Sequence, residues 1–177
     1  MKSEKYEVIL GLHPTTKGMG WVLATSPVAM VDWGIIHARG DKHAVCLKRI
    51  TELVSTFSPA VLVMRHAAGS NRKRTKRIQK LITSVLALAR GRGIEVKLFA
   101  DKDVRRKFER FGISTREEIA KLLATNIEAL SSRLPPKRKP WKSEDARLGL
   151  FDAAALVVSF FVERDLIDDP FALPSSA

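Results

Sequence analysis

The chain has 177 residues, 45% of them hydrophobic and 28% charged. This composition excludes global disorder and suits one domain with a hydrophobic core. The longest apolar run, Ala153 to Val162, is broken by Ser159 and is too short to cross a bilayer.

The opening residues, Met1-Lys2-Ser3-Glu4-Lys5-Tyr6-Glu7, carry no apolar stretch of signal type, and a lone cysteine, Cys46, excludes an internal disulfide or a Cys-based zinc cluster. The expectation is a cytoplasmic protein with no membrane partner. The net charge of +12 is uneven. Residues 1–64 hold 7 Lys/Arg against 5 Asp/Glu, residues 65–142 hold 22 against 7, and residues 143–177 hold 2 against 7. A charge gathered in one segment points to a polyanionic partner, nucleic acid above all.

Tyr6 to Leu12 reads as a buried strand, and His13 to Gly20 as a turn punctuated by Pro14, Gly18 and Gly20. Gly20 to Ser26 and Val28 to Arg39 read as two more strands joined at Ser26-Pro27, which together make an antiparallel meander. Leu47, Ile50, Val54 and Phe57 then recur at helical spacing, so Lys42 to Phe57 is predicted to be an amphipathic helix ended by Pro59. Val61 to Met64 is a short buried strand. A helix follows from about Asn71 to Arg90, and a fifth strand from Val96 to Ala100. Strands alternating with helices at this spacing imply parallel crossovers.

The rest is predicted to be helical: Asp101 to Phe111, Thr115 to about Leu130, and about Glu144 to Arg164. Ser114-x-x-Glu117 and Thr115-x-x-Glu118 both fit a capping box. Leu134-Pro135-Pro136-Lys137-Arg138-Lys139-Pro140-Trp141 has too many prolines for regular structure and reads as a basic loop. The expected organisation is one domain over residues 1–165 and an acidic, loosely held tail over residues 166–177.

Two basic clusters are candidate nucleic-acid contacts. Arg72, Lys73, Arg74, Lys76, Arg77 and Lys80 crowd the start of one helix. Their mutual repulsion at the positive end of a helix dipole would be relieved by phosphate. Lys137, Arg138, Lys139 and Lys142 line the proline loop beside Trp141, a candidate stacking residue.

Four segments resemble the RuvC-like Holliday-junction resolvases, a branch of the ribonuclease H fold. Ile9-Leu10-Gly11-Leu12-His13-Pro14 is similar to that family's first strand, and Val61-Leu62-Val63-Met64-Arg65 to the strand that ends in its glutamate. Thr115-Arg116 resembles the helix start that carries Thr-Lys or Ser-Lys, which makes Arg116 a further candidate nucleic-acid contact, and Phe151-Asp152-Ala153-Ala154-Ala155 resembles the final helix with its metal-binding aspartate. The resemblance implies a ribonuclease H-like α/β fold. Its sheet has five strands, three antiparallel and then a parallel βαβ run, with helices on its flanks. It also implies binding of branched or duplex DNA, with RNA open through the related YqgF-like proteins, and a homodimer.

The family cleaves phosphodiesters with two divalent ions held by carboxylates. Here His13 and Arg65 stand at two of the expected carboxylate positions, leaving Asp152 as the one direct match and metal candidate. Glu144 and Asp145, expected at the start of the same helix, are the substitute catalytic carboxylates. A guanidinium cannot lose its proton and repels a cation, and a histidine nitrogen suits Mg²⁺ poorly. The reading is therefore a nucleic-acid-binding relative whose cleavage is impaired or lost, with Mg²⁺ or Mn²⁺ relevant only if catalysis persists.

Three alternatives accompany it. One is an active nuclease with relocated ligands drawn from Asp32, Asp145 or His66. Another is a transition-metal site of His13, His66 and Asp152. The last is a basic scaffold that meets an acidic partner. The resemblance also yields a geometric expectation: Arg65 should reach Asp152, or failing that Asp145 or Glu144, with His13 lining the same cleft.

Overall fold

The computed structural model describes residues 7–66, 73–165 and 167–172, with residues 73–75 described by backbone alone. Its elements in chain order are β1 (Ile9–Pro14), β2 (Gly18–Ala24), β3 (Met30–His37), α1 (Lys42–Phe57), β4 (Val61–Arg65) and α2 (Lys73–Arg92). They continue with β5 (Glu95–Phe99), α3 (Asp101–Glu109), α4 (Arg116–Asn126), a 3₁₀ turn (Glu128–Arg133) and α5 (Leu148–Arg164). The strands form one sheet in the order β3-β2-β1-β4-β5. β1 pairs antiparallel with β2, β2 antiparallel with β3, and β4 runs parallel to both β1 and β5. This is the expected mixed, ribonuclease H-like sheet.

Two apolar layers hold the sheet, and strand periodicity assigns residues to them. Leu10 and Leu12 of β1 with Leu62 and Met64 of β4 face α1 and α2. Ile9 of β1 with Val61 and Val63 of β4 face α4 and α5. The alternation carries His13 and Arg65 onto the α5 side.

Nearly every residue of α5 up to Phe161 is buried, so it is a core helix and not an amphipathic surface one. Glycines allow it to lie directly on the sheet. A Cβ on Gly11 would stand 2.7 Å from the Ala153 carbonyl oxygen, and one on Gly20 would collide with the Gly149 backbone.

The helix Lys42–Phe57 has the expected bounds; it is capped by Asp41, whose carboxylate accepts from the Ala44 N–H, and closed by Ser58 at φ 45°. The first strand starts and ends later than expected, because His13 and Pro14 pair with Gly20 and Met19 and extend the ladder. The last helix corrects a larger error: it begins at Leu148, so Glu144 and Asp145 precede it. Asp145 instead accepts from its near neighbour, the Arg147 N–H, at 2.9 Å and closes a turn through Leu148 N–H to its own carbonyl at 3.1 Å. The segment Thr115 to Leu130 is likewise two pieces, α4 and the 3₁₀ turn, with Ile127 extended between them. Among the described residues no helix is long and apolar enough to cross a membrane.

Candidate functional site

β1 and β4 run parallel and end side by side, so His13 and Arg65 emerge at the same edge of the sheet. The β4–β5 register sets Phe99 beside Arg65, and α3 begins two residues later at Asp101. Across from these ends stand Asp152, one turn into α5, and Arg116, the first residue of α4. His13, Arg65, Asp101, Arg105, Arg116 and Asp152 thus line one cleft of about 240 Å³, floored by Val104, Ile119, Ala155 and Leu156.

The start of α4 is fixed by the expected capping box. Thr115 Oγ1 accepts from the Glu118 N–H at 3.2 Å, and Glu118 Oε2 accepts from the Thr115 and Ser114 N–H groups at 2.9 and 3.0 Å. These donors hold the Glu118 carboxyl below its usual range. The box therefore fixes the backbone that launches Arg116 into the cleft.

The ion pairing corrects the geometric expectation. Arg65 enters the cleft, but its guanidinium pairs with Asp101 and not with Asp152, Asp145 or Glu144. Asp152 belongs to Arg116, whose Nε donates to Oδ1 at 2.9 Å while Nη2 donates to Oδ2. A second carboxylate, Glu144, reaches the Arg116 Nη1 from the loop before α5. Asp145 is turned to Arg147, at 2.7 Å between Nη2 and Oδ2, and stands outside the cleft lining. Asp101 wins Arg65 because it leaves the strand beside Arg65, whereas Asp152 is met first by a guanidinium already fixed at a helix start.

His13 Nε2 stands 3.3 Å from Asp152 Oδ2, and the residue is only 7% exposed. That spacing would suit an ion pair. Burial nevertheless lowers the His13 pKa, and although Asp152 pushes it back up, the Arg116 and Arg65 cations lower it further. The imidazole is therefore neutral near pH 7, and Asp152 is balanced by Arg116.

This donor set does not fit a pair of divalent ions. Both oxygens of Asp152 are engaged by a guanidinium, and the neighbouring positions hold an imidazole and a second guanidinium. Hard cations need several free anionic oxygens. The proposed replacement ligands are not brought together. Asp32 pairs with Leu23, whose side chain faces α1 and α2, so it sits on the opposite face of the sheet. His66 is exposed, beyond the end of β4, and among the described residues no three His, Cys, Asp or Glu side chains converge as metal ligands.

None of the described residues of the two basic clusters lines this cleft. Arg77 Nη2 donates to the Thr15 carbonyl at 2.8 Å and Lys42 Nζ to that of Thr16 at 2.7 Å, tying α1 and α2 to the turn that follows His13 and Pro14. Lys76 and Lys80 are exposed on the same face, beside Lys42, His43 and Arg77. Arg72 and the side chains of Lys73 and Arg74 lie outside the described residues. Lys137, Arg138, Lys139 and Lys142 are all exposed in an irregular loop that leads to Glu144 and the cleft. Sequence reasoning missed Asp101 and Arg105. The signal was present: a parallel strand next to β4 delivers whatever follows it to the same sheet edge.

No family model matches the sequence, and no curated protein matches it. Solved structures do match the fold. The chain is similar to Thermus thermophilus RuvC in complex with a Holliday junction substrate, at 17% identity and a TM-score of 0.66, covering 90% of this chain and 96% of that one. A second Thermus thermophilus RuvC structure is similar at 18% identity and a TM-score of 0.62, covering 89% and 96%. The chain therefore has the RuvC-type, ribonuclease H-like fold over nearly its whole length.

Proposed function

We propose that the protein binds nucleic acid, branched or duplex DNA first, across the sheet edge where β1 and β4 end, and that it does so without two-ion cleavage. The observation that carries this reading is the Arg116–Asp152 pair: the carboxylate that would hold an ion is held by a protein cation. Within the cleft Arg65 is paired with Asp101 and Arg116 with Asp152 and Glu144, and among the described residues Arg105 makes no ion pair, which leaves its guanidinium for a phosphate. Arginine forks suit phosphate oxygens. The separate basic patch of Lys42, Lys76, Arg77 and Lys80, and the exposed cations of the proline loop, would give a phosphate backbone further contacts beyond the cleft. The fold supports the choice of ligand, since one similar structure is described as a complex with a Holliday junction substrate.

Two measurements on the purified protein test this. Binding to a four-way junction and to a duplex, followed across salt concentrations, should give a log–log slope near about −5, as expected for about six phosphate contacts. A structured RNA run in parallel decides between the two nucleic acids. Absence of salt-dependent binding to all of them would favour the scaffold reading. Incubation of the junction with Mg²⁺ or Mn²⁺ should give no more product than the Asp152→Asn variant gives, and a metal-dependent product abolished by that change would establish an active nuclease.

A further inference from the structure

We propose that Trp141 is a stacking platform for an unpaired base, set at the rim of the Arg116 cleft; the inference rests on the nucleic-acid reading above and adds a ligand feature to it. The three tryptophans differ sharply. Trp21 is 4% exposed in the core, Trp33 is half-buried against it, and Trp141 is 77% exposed, more than any other large apolar side chain described. Packing accounts for the first two and leaves the third unexplained, since an indole carries a large apolar surface.

Its setting is built for presentation. The Lys142 N–H donates to the Lys139 carbonyl at 3.0 Å, closing a turn with Pro140 and Trp141 at its two central positions. Pro140 fixes the backbone before the indole, and Pro135 and Pro136 stiffen the approach. A backbone held this way loses little freedom on binding. Lys139 Nζ lies 5.7 Å from the ring centroid, and Lys137, Arg138 and Lys142 surround it with exposed positive charge. An exposed π face among phosphate-seeking cations is what single-stranded nucleic acid requires.

Position ties the platform to the cleft. Trp141 is three residues from Glu144, so their Cα atoms are within about 11 Å, and Glu144 is paired with Arg116. A strand whose phosphate lies against the cleft arginines can place a neighbouring base on the indole. Bases inside an intact duplex are already stacked on one another and offer no free face. The platform therefore selects for an unpaired or splayed segment such as a single strand or a branch point.

The test uses the full chain with fluorescein-labelled oligothymidylate of about 16 nucleotides and a duplex of equal length. Trp141→Ala should weaken oligothymidylate binding about tenfold while changing duplex binding less than about twofold, and Trp141→Phe should retain most of the affinity. In the unaltered protein, oligothymidylate should quench indole emission, and Trp141→Phe should remove that quenching. Equal loss on both ligands for Trp141→Ala, no loss on either, or quenching that persists in Trp141→Phe would overturn the proposal. Binding of duplex but not oligothymidylate would overturn it while leaving the nucleic-acid reading standing; failure to bind either would remove both.

Discussion

Arg116 and Asp152, 36 positions apart, meet through two parallel contacts, one from Nε and one from Nη2, on the two oxygens of a single carboxylate. Fork-on-fork pairing of this kind fixes geometry as well as charge. It fixes α4 to α5 across the floor of the cleft, and its consequences can be measured without any ligand.

Neutralising Asp152 gives the first test. In a cleft of crowded carboxylates, Asp→Asn relieves repulsion and stabilises the fold. Here it strips Arg116 of its two-point partner, so Asp152→Asn should cost about 2 kcal/mol and lower Tm by roughly 4–8 °C. A rise in Tm by scanning calorimetry would show that repulsion dominates instead.

Divalent ions give the second. A site with a Kd near 1 mM would add about 1.4 kcal/mol of stability at about 10 mM ion. We expect the Tm to be unchanged by Mg²⁺ or Mn²⁺ at that concentration, at constant ionic strength. A rise that vanishes in Asp152→Asn would place an ion at this carboxylate.

The pH dependence is followed through His13 and Glu118; Asp41, Asp145 and Glu163 are depressed as well and add to the carboxylate decline. Burial, the largest effect on His13, lowers its pKa below the ordinary 6.5, so between the two values the unfolded chain binds the proton more readily. Stability then rises with pH across that window, is complete above about 6.5, and declines as pH falls below it. Glu118 is also depressed, by its hydrogen bonds to Ser114 and Thr115, and its contribution is lost as pH falls below the ordinary carboxylate value. Denaturant titrations should show both declines, and His13→Gln should flatten the upper one alone. An unaltered slope just below pH 6.5 in that variant would reassign the upper decline.

Surface charge variants test the contacts beyond the cleft. Lys76→Gln with Lys80→Gln, and separately Lys137→Gln with Lys139→Gln, should each make the salt slope shallower by about 1.8 if both lysines of a pair touch phosphate. Neither pair should change Tm appreciably, because all four side chains are exposed. A pair that leaves the slope untouched lies off the path of the nucleic acid.

Gly20→Ala tests how the cleft is supported. Its methyl group would enter the Gly149 backbone at the start of α5, where no flexible side chain can yield. We expect a loss of about 3 kcal/mol and faster amide exchange through the first turns of α5. Stability within 0.5 kcal/mol of the parent, roughly the scatter of a surface change, would show that the helix can lift off without cost.

Much of this was legible in the sequence, for local reasons. The apolar spacing of Leu47, Ile50, Val54 and Phe57 and the Thr115–Glu118 capping box each report structure formed among near neighbours, and the helix and the box are where they were expected. Parallel alternation also carried His13 and Arg65 to one sheet edge, beside Asp152, as expected. What sequence could not supply was the choice of partner among several nearby charges. Arg65 took Asp101 because the β4–β5 register puts them together, and that register is a tertiary fact. The start of α5 was misplaced for a different reason. Ser143-Glu144-Asp145 has the look of a helix start, but Asp145 spends its carboxylate on Arg147 and delays the helix to Leu148.

The closed pairing of the cleft has a consequence for how this protein can change. Arg65→Glu alone would strand Asp101 and add a third carboxylate beside it and Asp152. Changing Arg116 alone would set Asp152 and Glu144 loose in the same space, and His13→Asp alone would place a like charge against Asp152. Each of these steps is unfavourable until the others are made, so their effects are strongly non-additive. The exposed lysines of the proline loop can drift one at a time. The centre between α4 and α5 behaves as one coupled unit, and single changes there should cost more than the same changes made together.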